Sequence, residues 1–398
     1  MAIYFQVFFL FVFFENKEEL EKKLSSLDES RLPSVSFIIP CFDEENTVCR
    51  TLESILKLDY PNSLLKIIVV DDGSQDNTWQ SLSVYKSHPQ ITLKKQSNRG
   101  KAEALNNGLK EVTTDLVVSF DADTEIRVNA LKEIVNKFVV DEKIMAIGGT
   151  VLIQNPKTMI QKAQSIEYKM FSFTKKMLGL MGAVLVVPGA FSVFRREVFD
   201  IVGGYKNAHN LEDVEMTLRM QKHGLKVDHC HTAFVLTKGP ESMKKLFRQR
   251  LRWCCGFIEN LKDYKYMLFN KKYGDFGFFT LPLNLFSYIM IIFVFFLGLY
   301  KISLFFQEKI TEFLLVGFTN FDLININWFF IDVRVSSLLS IVMLMFILIG
   351  IILGKKTSRA SMSLWSVVCF IFIYSFLAPL WILRSMYNSI LSVKTSWR

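Results

Sequence analysis

The fold class of the central part of the chain is decided by the stretch LVVSFDAD, residues 116–123. Its first five residues are apolar or small, as in a buried strand of a parallel sheet, and two aspartates follow within three residues. In open α/β sheets, ligands bind beyond the carboxyl ends of the strands. The stretch therefore predicts a buried strand that carries Asp121 and Asp123 to a ligand-binding edge.

Three similar runs precede this stretch, at residues 35–40, 66–70 and 91–95. Helical periodicity follows them, first over residues 44–57, and such alternation is typical of parallel βαβ units. The sequence therefore predicts a Rossmann-like α/β domain. It contains neither a GxGxxG fingerprint nor a Walker loop, which argues against a dinucleotide-dependent enzyme and a P-loop NTPase.

The composition is that of a membrane protein. Hydrophobic residues make up 51% of the 398 residues, 37 residues are Phe, and the mean hydropathy is +0.27, which excludes a disordered or collagen-like chain. The net charge is +9, and a basic excess in a hydrophobic chain is typical of cytoplasmic loops between membrane helices. No basic run exceeds two residues, so the charge does not favour nucleic-acid binding.

Three uncharged runs reach the roughly 20 residues that cross a bilayer, at residues 276–300, 335–354 and 360–383. The N-terminal run, residues 1–14, is shorter and lacks the basic start and the cleavage site of a signal peptide. We interpret it as the end of a membrane helix or as a short anchor.

Basic residues between the second and third runs predict the membrane topology. Lys355, Lys356 and Arg359 place this loop in the cytoplasm. The first run then leaves the cytosol and the second returns. For the third run two alternatives stay open: it is partly interfacial and broken at Pro379, or residues 313–331 form a further crossing.

The cysteine pattern gives no sign of a disulfide scaffold. The six cysteines form no CxxC pair, so we expect free thiols that face a reducing cytosol. Cys230 lies between His229 and His231, but a metal site there needs a further ligand.

The two aspartates at the end of the 116–123 stretch suit a metal site. Residues i and i+2 of an extended strand point the same way, so Asp121 and Asp123 can share one hard divalent cation that bridges to phosphates. An isolated pair of this kind is more often a solvated turn. Here other polar motifs also end strands.

Two of those motifs suit a nucleotide. Asp71-Asp72-Gly73-Ser74 offers carboxylates that accept hydrogen bonds from a base or ribose, with a glycine for the tight turn. Asn98-Arg99-Gly100-Lys101 places a lysine at a helix start, where the ammonium and the helix dipole both favour a diphosphate. A capping or surface role is the alternative for each.

Two later motifs carry side chains that suit proton transfer and the binding of phosphate or sugar. Glu212-Asp213 opens a helical stretch over residues 211–223 and predicts either a general base or a helix cap. Gln249-Arg250-Leu251-Arg252-Trp253 lies on an amphipathic segment. Its Gln and Arg side chains can hold a pyrophosphate, and its Trp offers a flat face to a sugar ring. A basic, aromatic membrane-surface helix is the alternative.

Taken in order, these motifs resemble those of the membrane-integrated, inverting family-two glycosyltransferases, which include hyaluronan, chitin, cellulose and poly-N-acetylglucosamine synthases. That pattern also contains Pro-x-x-[Asn/Asp]-Glu, here Pro40-Cys41-Phe42-Asp43-Glu44, and Gly-Lys-Ala, here Gly100-Lys101-Ala102. Six ordered motifs within residues 35–253 make the resemblance specific. Asp43 stands where the family usually has Asn, and Lys238 where Glu is common.

The resemblance implies a GT-A fold, Mg²⁺ or Mn²⁺, a UDP-sugar donor, and a growing polysaccharide acceptor that the same chain moves through the membrane. It implies Asp213 as the catalytic base, beside Glu212, and Asp121 and Asp123 as ligands of the cation. Substrate contacts are expected from Pro40, Phe42, Glu44, Asp71, Asp72, Lys101, Asp121, Gly189, Gln249, Arg250, Arg252 and Trp253.

The predicted organisation has four regions. Residues 1–30 form a membrane anchor and linker, and residues 31–240 a cytosolic GT-A domain. Residues 241–275 form an interfacial helix with the Gln-x-x-Arg-Trp motif, and residues 276–398 a transmembrane region. We expect a multi-pass plasma-membrane protein surrounded by lipids. Residues 394–398 resemble the gating segment of hyaluronan synthases but lack its Gly-Thr.

The size of the chain favours a chitin-, hyaluronan- or poly-N-acetylglucosamine-type synthase over the cellulose branch, which carries a cyclic-nucleotide module, and UDP-N-acetylglucosamine is the favoured donor. Two alternatives stay open. A polyprenyl-phosphate glycosyltransferase would pass one sugar to a lipid, and the motif ending in Trp253 argues against it. A catalytically silent membrane scaffold would be expected to lose one of Asp121, Asp123, Asp213 and Trp253.

Overall fold

The computed structural model describes residues 2–17, 32–317 and 335–391 of the chain. These residues form eight strands and twelve α-helices. The strands are β1 (Val35–Cys41), β2 (Leu65–Asp71), β3 (Ile91–Lys95), β4 (Leu116–Phe120), β5 (Thr124–Ile126), β6 (Ile144–Ile153), β7 (Phe191–Arg195) and β8 (Lys226–Thr237). The helices are α1 (Ala2–Glu15), α2 (Val48–Leu56), α3 (Thr78–Leu82), α4 (Lys101–Leu109), α5 (Ala130–Val140), α6 (Met159–Leu180), α7 (Glu197–Val202), α8 (Glu212–Lys222), α9 (Met243–Asp263), α10 (Leu281–Val316), α11 (Val335–Ser358) and α12 (Leu364–Ile390).

The strands form one mixed sheet in the order β3-β2-β1-β4-β7-β6-β8-β5. The four strands predicted from sequence make its parallel half: β1 pairs in parallel with β2 and β4, and β2 with β3. The register sets Cys41 opposite Asp71. Because the strands point the same way, the polar motifs that follow them leave the sheet at one edge.

The helix predicted over residues 44–57 begins only at Val48. The residues before it form a turn, in which Asp43 has a φ of +54°. The backbone N–H of Glu44 donates to the Thr78 hydroxyl at 2.7 Å. The segment before Val48 thus bonds to a neighbouring part of the chain and does not form a helical turn. The periodicity of the sequence could not reveal such a contact.

The other half of the sheet is largely antiparallel. β7 runs antiparallel to both β4 and β6, and β5 pairs antiparallel with β8. The rings of Phe37, Phe120 and Phe191 pack edge to face, with centroids 5.6 and 5.8 Å apart. All three rings are fully buried, so β1, β4 and β7 share one core across the boundary between the two halves.

Helix α6 lies between the sheet and the apolar C-terminal helices. A capping box of Thr158 and Gln161 begins it, and 22 residues follow. It packs against β6 and β8 on one side and against α11 and α12 on the other. The helix is therefore the main contact between the sheet and the segments that could enter a membrane.

Three described segments are long and apolar enough to cross a membrane: Phe276–Leu315, Ile341–Ser358 and Leu364–Ile390. The first contains α10, whose 36 residues extend about 54 Å, against about 30 Å of hydrocarbon core. The uncharged run in the sequence ends at residue 300 because Lys301 follows. A charge ends an apolar run but does not end a helix, and α10 continues to Gly317, where φ is +70°.

Helix α12 lies along α6 and α9. The Tyr374 hydroxyl donates to Glu167 of α6 at 2.7 Å, and Lys262 of α9 donates to the carbonyl of Ser389 at 3.0 Å. The break that one alternative placed at Pro379 is wrong, because α12 is continuous through this residue. Packed neighbouring helices can compensate for the missing N–H of a proline.

Several predicted segments lie outside the described residues. They are residues 18–30 of the linker, residues 318–331 of the alternative crossing, and the segment 394–398 that resembles a gate. For these segments the sequence-based interpretations stay predictions.

Gly108 of α4 tests the packing of this helix on the sheet. A Cβ at Gly108 would come within 2.4 Å of Cγ2 of Ile38, which is fully buried and has a stiff, β-branched side chain. We expect Gly108→Ala to lower the free energy of unfolding by about 1–3 kcal/mol, although alanine favours helix.

The matched control is Gly298→Ala, because Gly298 is also helical and no other described atom lies within 4 Å of its Cβ position. Thermal unfolding of the detergent-solubilised variants measures the difference. Equal melting temperatures for the two variants would contradict the close contact of α4 with β1.

Candidate active site

A cavity of about 960 Å³ opens at the carboxyl ends of the parallel strands and continues between the apolar helices. The structure brings most of the predicted site residues to its wall, although their motifs are far apart in sequence. These residues are Pro40, Phe42, Glu44, Asp72, Lys101, Asp121, Asp123, Gly189, Glu212, Asp213, Gln249, Arg252 and Trp253.

Asp121 and Asp123 enter the cavity directly after β4. Burial, followed by the charges of Asp121 and Glu44, raises the pKa of Asp123 to about 7. Crowded carboxylates repel one another, and a divalent cation would relieve that repulsion. The described residues contain no cluster of three or more His, Cys, Asp or Glu side chains placed as a complete metal site. The pair therefore fits Mg²⁺ or Mn²⁺ that takes its other ligands from phosphates and water.

Lys101 links this pair to the Glu212-Asp213 motif. It is the first residue of α4, as the sequence predicted. Its Nζ lies 2.7 Å from Oδ1 of Asp121 and 2.9 Å from Oε1 of Glu212. Burial alone would lower the pKa of Lys101, but the charges of Asp121, Glu212 and Asp213 outweigh burial and raise it. The side chain is therefore a permanent cation at the centre of the site.

Asp213 is oriented by two backbone amides. Its Oδ2 accepts the N–H of Gly189 at 3.0 Å, and its Oδ1 accepts the N–H of Val214 at 2.8 Å. The N-cap of α8 is Leu211, so Asp213 is not the capping residue. Burial, and then the charge of Glu212, raises the pKa of Asp213. A raised pKa is the direction that suits a general base near neutral pH.

Gly189 allows these charged groups to approach one another. A Cβ at this position would lie 2.9 Å from Nζ of Lys101 and 3.5 Å from Oδ2 of Asp213. A side chain here would displace the ammonium from its carboxylates. Lys101 lies so close to the loop before β7 that only glycine fits at position 189.

Asp72 holds the loop that precedes α4. Its Oδ1 accepts the N–H of Arg99 at 2.9 Å, and its Oδ2 accepts the N–H of Gly100 at 2.8 Å. Gly73 has a φ of +76°, and a Cβ there would lie 2.7 Å from the backbone N of Asn98. The turn thus fixes the start of α4, and a direct contact of Asp72 with a nucleotide stays a prediction.

Two predicted substrate-binding residues, Asp71 and Arg250, do not border the cavity. Asp71 is fully buried and accepts the N–H of Ser74 at 3.0 Å. Arg250 is buried and pairs with Glu167. The physical reason is side-chain direction: successive strand residues face opposite sides, and residues 249, 252 and 253 share a helix face that excludes residue 250.

Helix α6 adds cavity residues that were not predicted from the sequence. Tyr168, Phe171 and Lys175 border the cavity, and their spacing of three and four places them on one helix face. Burial lowers the pKa of Lys175 to about 8, although the charge of Asp213 opposes this. The helical periodicity of residues 159–180 could have indicated this helix from sequence. The predicted βαβ units end at β4, however, and this helix comes after them.

The His-Cys-His run, residues 229–231, lies within β8. All six cysteines are free thiols. Burial, and then the charge of Lys175, holds the pKa of His229 well below its usual value, so the ring is neutral. Its Nε2 lies 3.1 Å from the Thr150 hydroxyl. His229 therefore belongs to a buried polar contact in the wall of the cavity.

The far end of the cavity has a different character. Helices α1, α10 and α11 supply its wall there, and most of their side chains are apolar. They include Phe9, Leu10, Leu283, Phe286, Met290, Phe346, Ile349 and Leu353. The cavity thus joins a charged end at the sheet to an apolar end among the helices that could lie in a membrane.

The family model described as glycosyltransferase like family 2 matches residues 33–256. The match covers more than half of the chain, including all six motifs on which the resemblance rests. The chain belongs to glycosyltransferase family 2. The resemblance inferred from the motifs is therefore confirmed at the level of the family.

Curated relatives of this family 2 member include the poly-beta-1,6-N-acetyl-D-glucosamine synthases of Staphylococcus epidermidis strain RP62A and Staphylococcus aureus strain MSSA476. Each is 31% identical to it, over 264 and 265 residues respectively. The alignments cover 66% of this chain and 64% of each relative. The match thus spans less than two thirds of the relatives' length.

Among solved structures, the mannosyltransferase PcManGT from Pyrobaculum calidifontis, in complex with GDP-Man and Mn²⁺, has a TM-score of 0.57 to this family 2 chain. It is 15% identical, and the superposition covers 98% of this chain and 96% of that one. At this identity the likeness establishes the fold alone. The GT-A fold expected from the sequence is confirmed.

Lys101→Met tests the central position of the ammonium. Removing one partner of a buried pair costs about 3–5 kcal/mol, and we expect roughly 2 kcal/mol here because Asp121 is partly exposed. The control is Lys226→Met, which removes an exposed pair with Asp141. Thermal unfolding should show a clearly lower melting temperature for Lys101→Met alone. Equal decreases in melting temperature for the two variants would contradict the central position of the Lys101 ammonium.

Proposed function

We propose that this chain is a membrane-embedded, inverting glycosyltransferase that transfers sugar from a UDP-sugar, with UDP-N-acetylglucosamine favoured, to a growing β-linked polysaccharide. The observation that carries the proposal is the single cavity in which a carboxylate pair, a buried ammonium, an oriented aspartate and an aromatic motif meet. Each of these groups serves one step of a sugar transfer.

The favoured product rests on similarity. The relatives that are 31% identical are named as poly-beta-1,6-N-acetyl-D-glucosamine synthases. An N-acetylglucosamine polymer is therefore the product that we propose, and the same chain would move it across the membrane. The cavity supports this, because it continues from the charged site to the apolar helices.

The donor end is proposed to lie at Asp121, Asp123 and Lys101. The two aspartates would hold Mg²⁺ or Mn²⁺ against the diphosphate, and the bound cation would neutralise charge that develops on UDP. Lys101 adds an ammonium beside Asp121. Gln249 and Arg252 of α9 border the same cavity and can donate hydrogen bonds to diphosphate oxygens.

In the proposed reaction, an acceptor hydroxyl attacks C1 of the donor sugar from the side opposite UDP. The new C–O bond forms as the bond from C1 to the diphosphate oxygen breaks, and UDP leaves with that electron pair. The hydroxyl proton passes to Asp213, whose carboxylate is fixed by Gly189 and Val214. One displacement inverts the anomeric centre and needs no covalent enzyme intermediate.

We further propose that the sheet domain lies in the cytosol, where UDP-sugars are made, under a plasma membrane that the chain crosses more than once. In this arrangement α10 leaves the cytosol and α11 returns, ending with Lys355 and Lys356 on the cytosolic side. Helix α12 stays at the cytosolic interface, because it lies along α6 and α9. Arg384 then remains cytosolic, as the positive-inside rule requires.

The experiment that tests the function is product analysis with the purified full chain and radiolabelled UDP-N-acetylglucosamine, with UDP-glucose and UDP-glucuronic acid as competing donors. Long polymer is the expected product. A single sugar on a lipid would identify a polyprenyl-phosphate transferase instead, and no product with any donor would favour the scaffold alternative.

Excess chelator should abolish synthesis and added Mn²⁺ or Mg²⁺ restore it, whereas full activity in chelator would contradict the metal assignment.

The Asp213→Asn variant tests whether Asp213 is a general base or only stabilises the start of the helix. The variant keeps the shape of the side chain and one of its two acceptor oxygens but cannot take the proton, so turnover should fall about 10²–10⁴-fold. UDP affinity should stay near wild type, because the donor contacts lie on other residues. Both quantities are measured on the same purified protein. Near-normal turnover would leave Asp213 with a structural role only, which the asparagine side chain would also fill.

Cysteine labelling in intact cells tests the topology. In a cysteine-free background, Gln307→Cys on the distal part of α10 should react with an impermeant maleimide added outside, because it lies beyond the bilayer thickness from the start of the helix. Leu391→Cys, just after α12, should react only after permeabilisation. Outside labelling of Leu391→Cys would show that α12 crosses the membrane.

A further inference from the structure

We propose that Glu167 and Tyr374 are positioning residues that hold Arg250 against the Trp253 ring and so fix the surface that receives the acceptor sugar. The proposal rests on the proposed function and on the expectation from sequence that the Trp253 ring contacts the acceptor sugar. It assigns Arg250 an indirect role in place of the substrate contact expected from sequence, and it gives α12 a part in the active site.

The first observation is a buried ionic contact between three helices. Arg250 of α9 and Glu167 of α6 are 4% and 9% exposed, and Nη2 of Arg250 pairs with Oε2 of Glu167. The same carboxylate oxygen accepts the Tyr374 hydroxyl of α12 at 2.7 Å. Tyr374 Oη also lies 3.4 Å from Arg250 Nη2. One carboxylate therefore ties together α6, α9 and α12.

The second observation connects this contact to the cavity. The Arg250 guanidinium carbon lies 4.3 Å from the centroid of the Trp253 ring, a cation–π distance. Trp253 borders the cavity and Arg250 does not. The guanidinium therefore covers part of the ring from within the protein, and any shift of Arg250 changes where the ring meets a ligand.

A neighbouring contact extends the same design to Gln249. The side-chain N–H of Gln164, one turn before Glu167 on α6, donates to Oε1 of Gln249 at 2.8 Å. Since the Gln249 oxygen already accepts this bond, its N–H₂ group is the part left for a ligand in the cavity. Helix α6 thus orients both Gln249 and, through Arg250, Trp253.

The energetics favour a role in geometry. Desolvation makes a buried ion pair a weak source of stability, and an apolar pair of similar size often stabilises a protein as well or better. Burial raises the pKa of Glu167, and the Arg250 charge opposes this. The pair therefore adds little stability. We infer that its role is to fix the position of the Trp253 ring.

The chain contains a second Glu–Arg–Tyr contact that serves as a matched control. Arg219 Nη2 lies 2.7 Å from Glu215 Oε2, and the Tyr264 hydroxyl donates to Glu215 Oε1 at 2.7 Å. This contact has the same chemistry, and its Glu215 and Arg219 are buried like Glu167 and Arg250, but it does not include Trp253. Tyr374→Phe and Tyr264→Phe thus remove equivalent hydroxyl groups.

The test measures how the purified full chain divides its donor between two fates. Radiolabelled UDP-N-acetylglucosamine either transfers to the acceptor or is hydrolysed to free sugar, with water in place of the acceptor hydroxyl. A misplaced Trp253 slows attack by the acceptor more than attack by water, whereas general damage lowers both rates equally. The ratio of transfer to hydrolysis is therefore specific to acceptor positioning.

We expect Tyr374→Phe to lower this ratio about three- to tenfold, as for the loss of one ordinary hydrogen bond, and Glu167→Gln about tenfold or more, as for a hydrogen bond to a charged group. UDP affinity should stay within about twofold of wild type in both. Tyr264→Phe should leave the ratio unchanged. If Glu167→Gln does not fold, because it leaves a buried charge unpaired, Tyr374→Phe still decides the question.

An active wild type with an unchanged ratio in Tyr374→Phe would overturn this inference and leave the proposed function intact. An equal decrease in Tyr264→Phe would also overturn it, since the effect would then be one of general stability. A wild-type chain that neither transfers nor hydrolyses the donor would contradict the proposed function, and this inference with it.

Discussion

The contact on which the site depends is the Lys101 ammonium between the carboxylates of Asp121 and Glu212. It joins the end of a central strand to the start of α8, and the loop at Gly189 closes over it. Several acidic side chains gather here, and without a cation their repulsion would push the elements apart. The same excess of carboxylates makes the place receptive to a divalent metal that arrives with a diphosphate.

The two halves of the sheet position different parts of the site. The parallel half carries the residues that we assign to donor and cation, because its strands all end at one edge. The antiparallel half and α6 supply the platform for α8, α9 and the apolar helices. Helix α6 is therefore in contact with both the chemistry and the membrane-side elements, and its Glu167 meets Tyr374 of α12 there.

The parallel half of the fold could be predicted because β1, β2 and β4 are buried on both faces along most of their length and therefore have short apolar sequences. β8 could not, since His229, Cys230 and Thr232 interrupt its apolar pattern. Motif order indicated which residues share the cavity, but not which way each side chain points. Asp71 accepts the N–H of Ser74 and Arg250 pairs with Glu167, so neither side chain borders the cavity as the motifs predicted.

The central claim is that this cavity holds a nucleotide sugar donor beside Lys101, and a structure of the full chain with UDP and Mn²⁺ tests it most directly. We expect the diphosphate in the cavity, with the metal at Asp121 and Asp123 and with Lys101, Gln249 and Arg252 around the phosphates. Nucleotide bound elsewhere on the chain, or an empty cavity at saturating UDP and Mn²⁺, would contradict it.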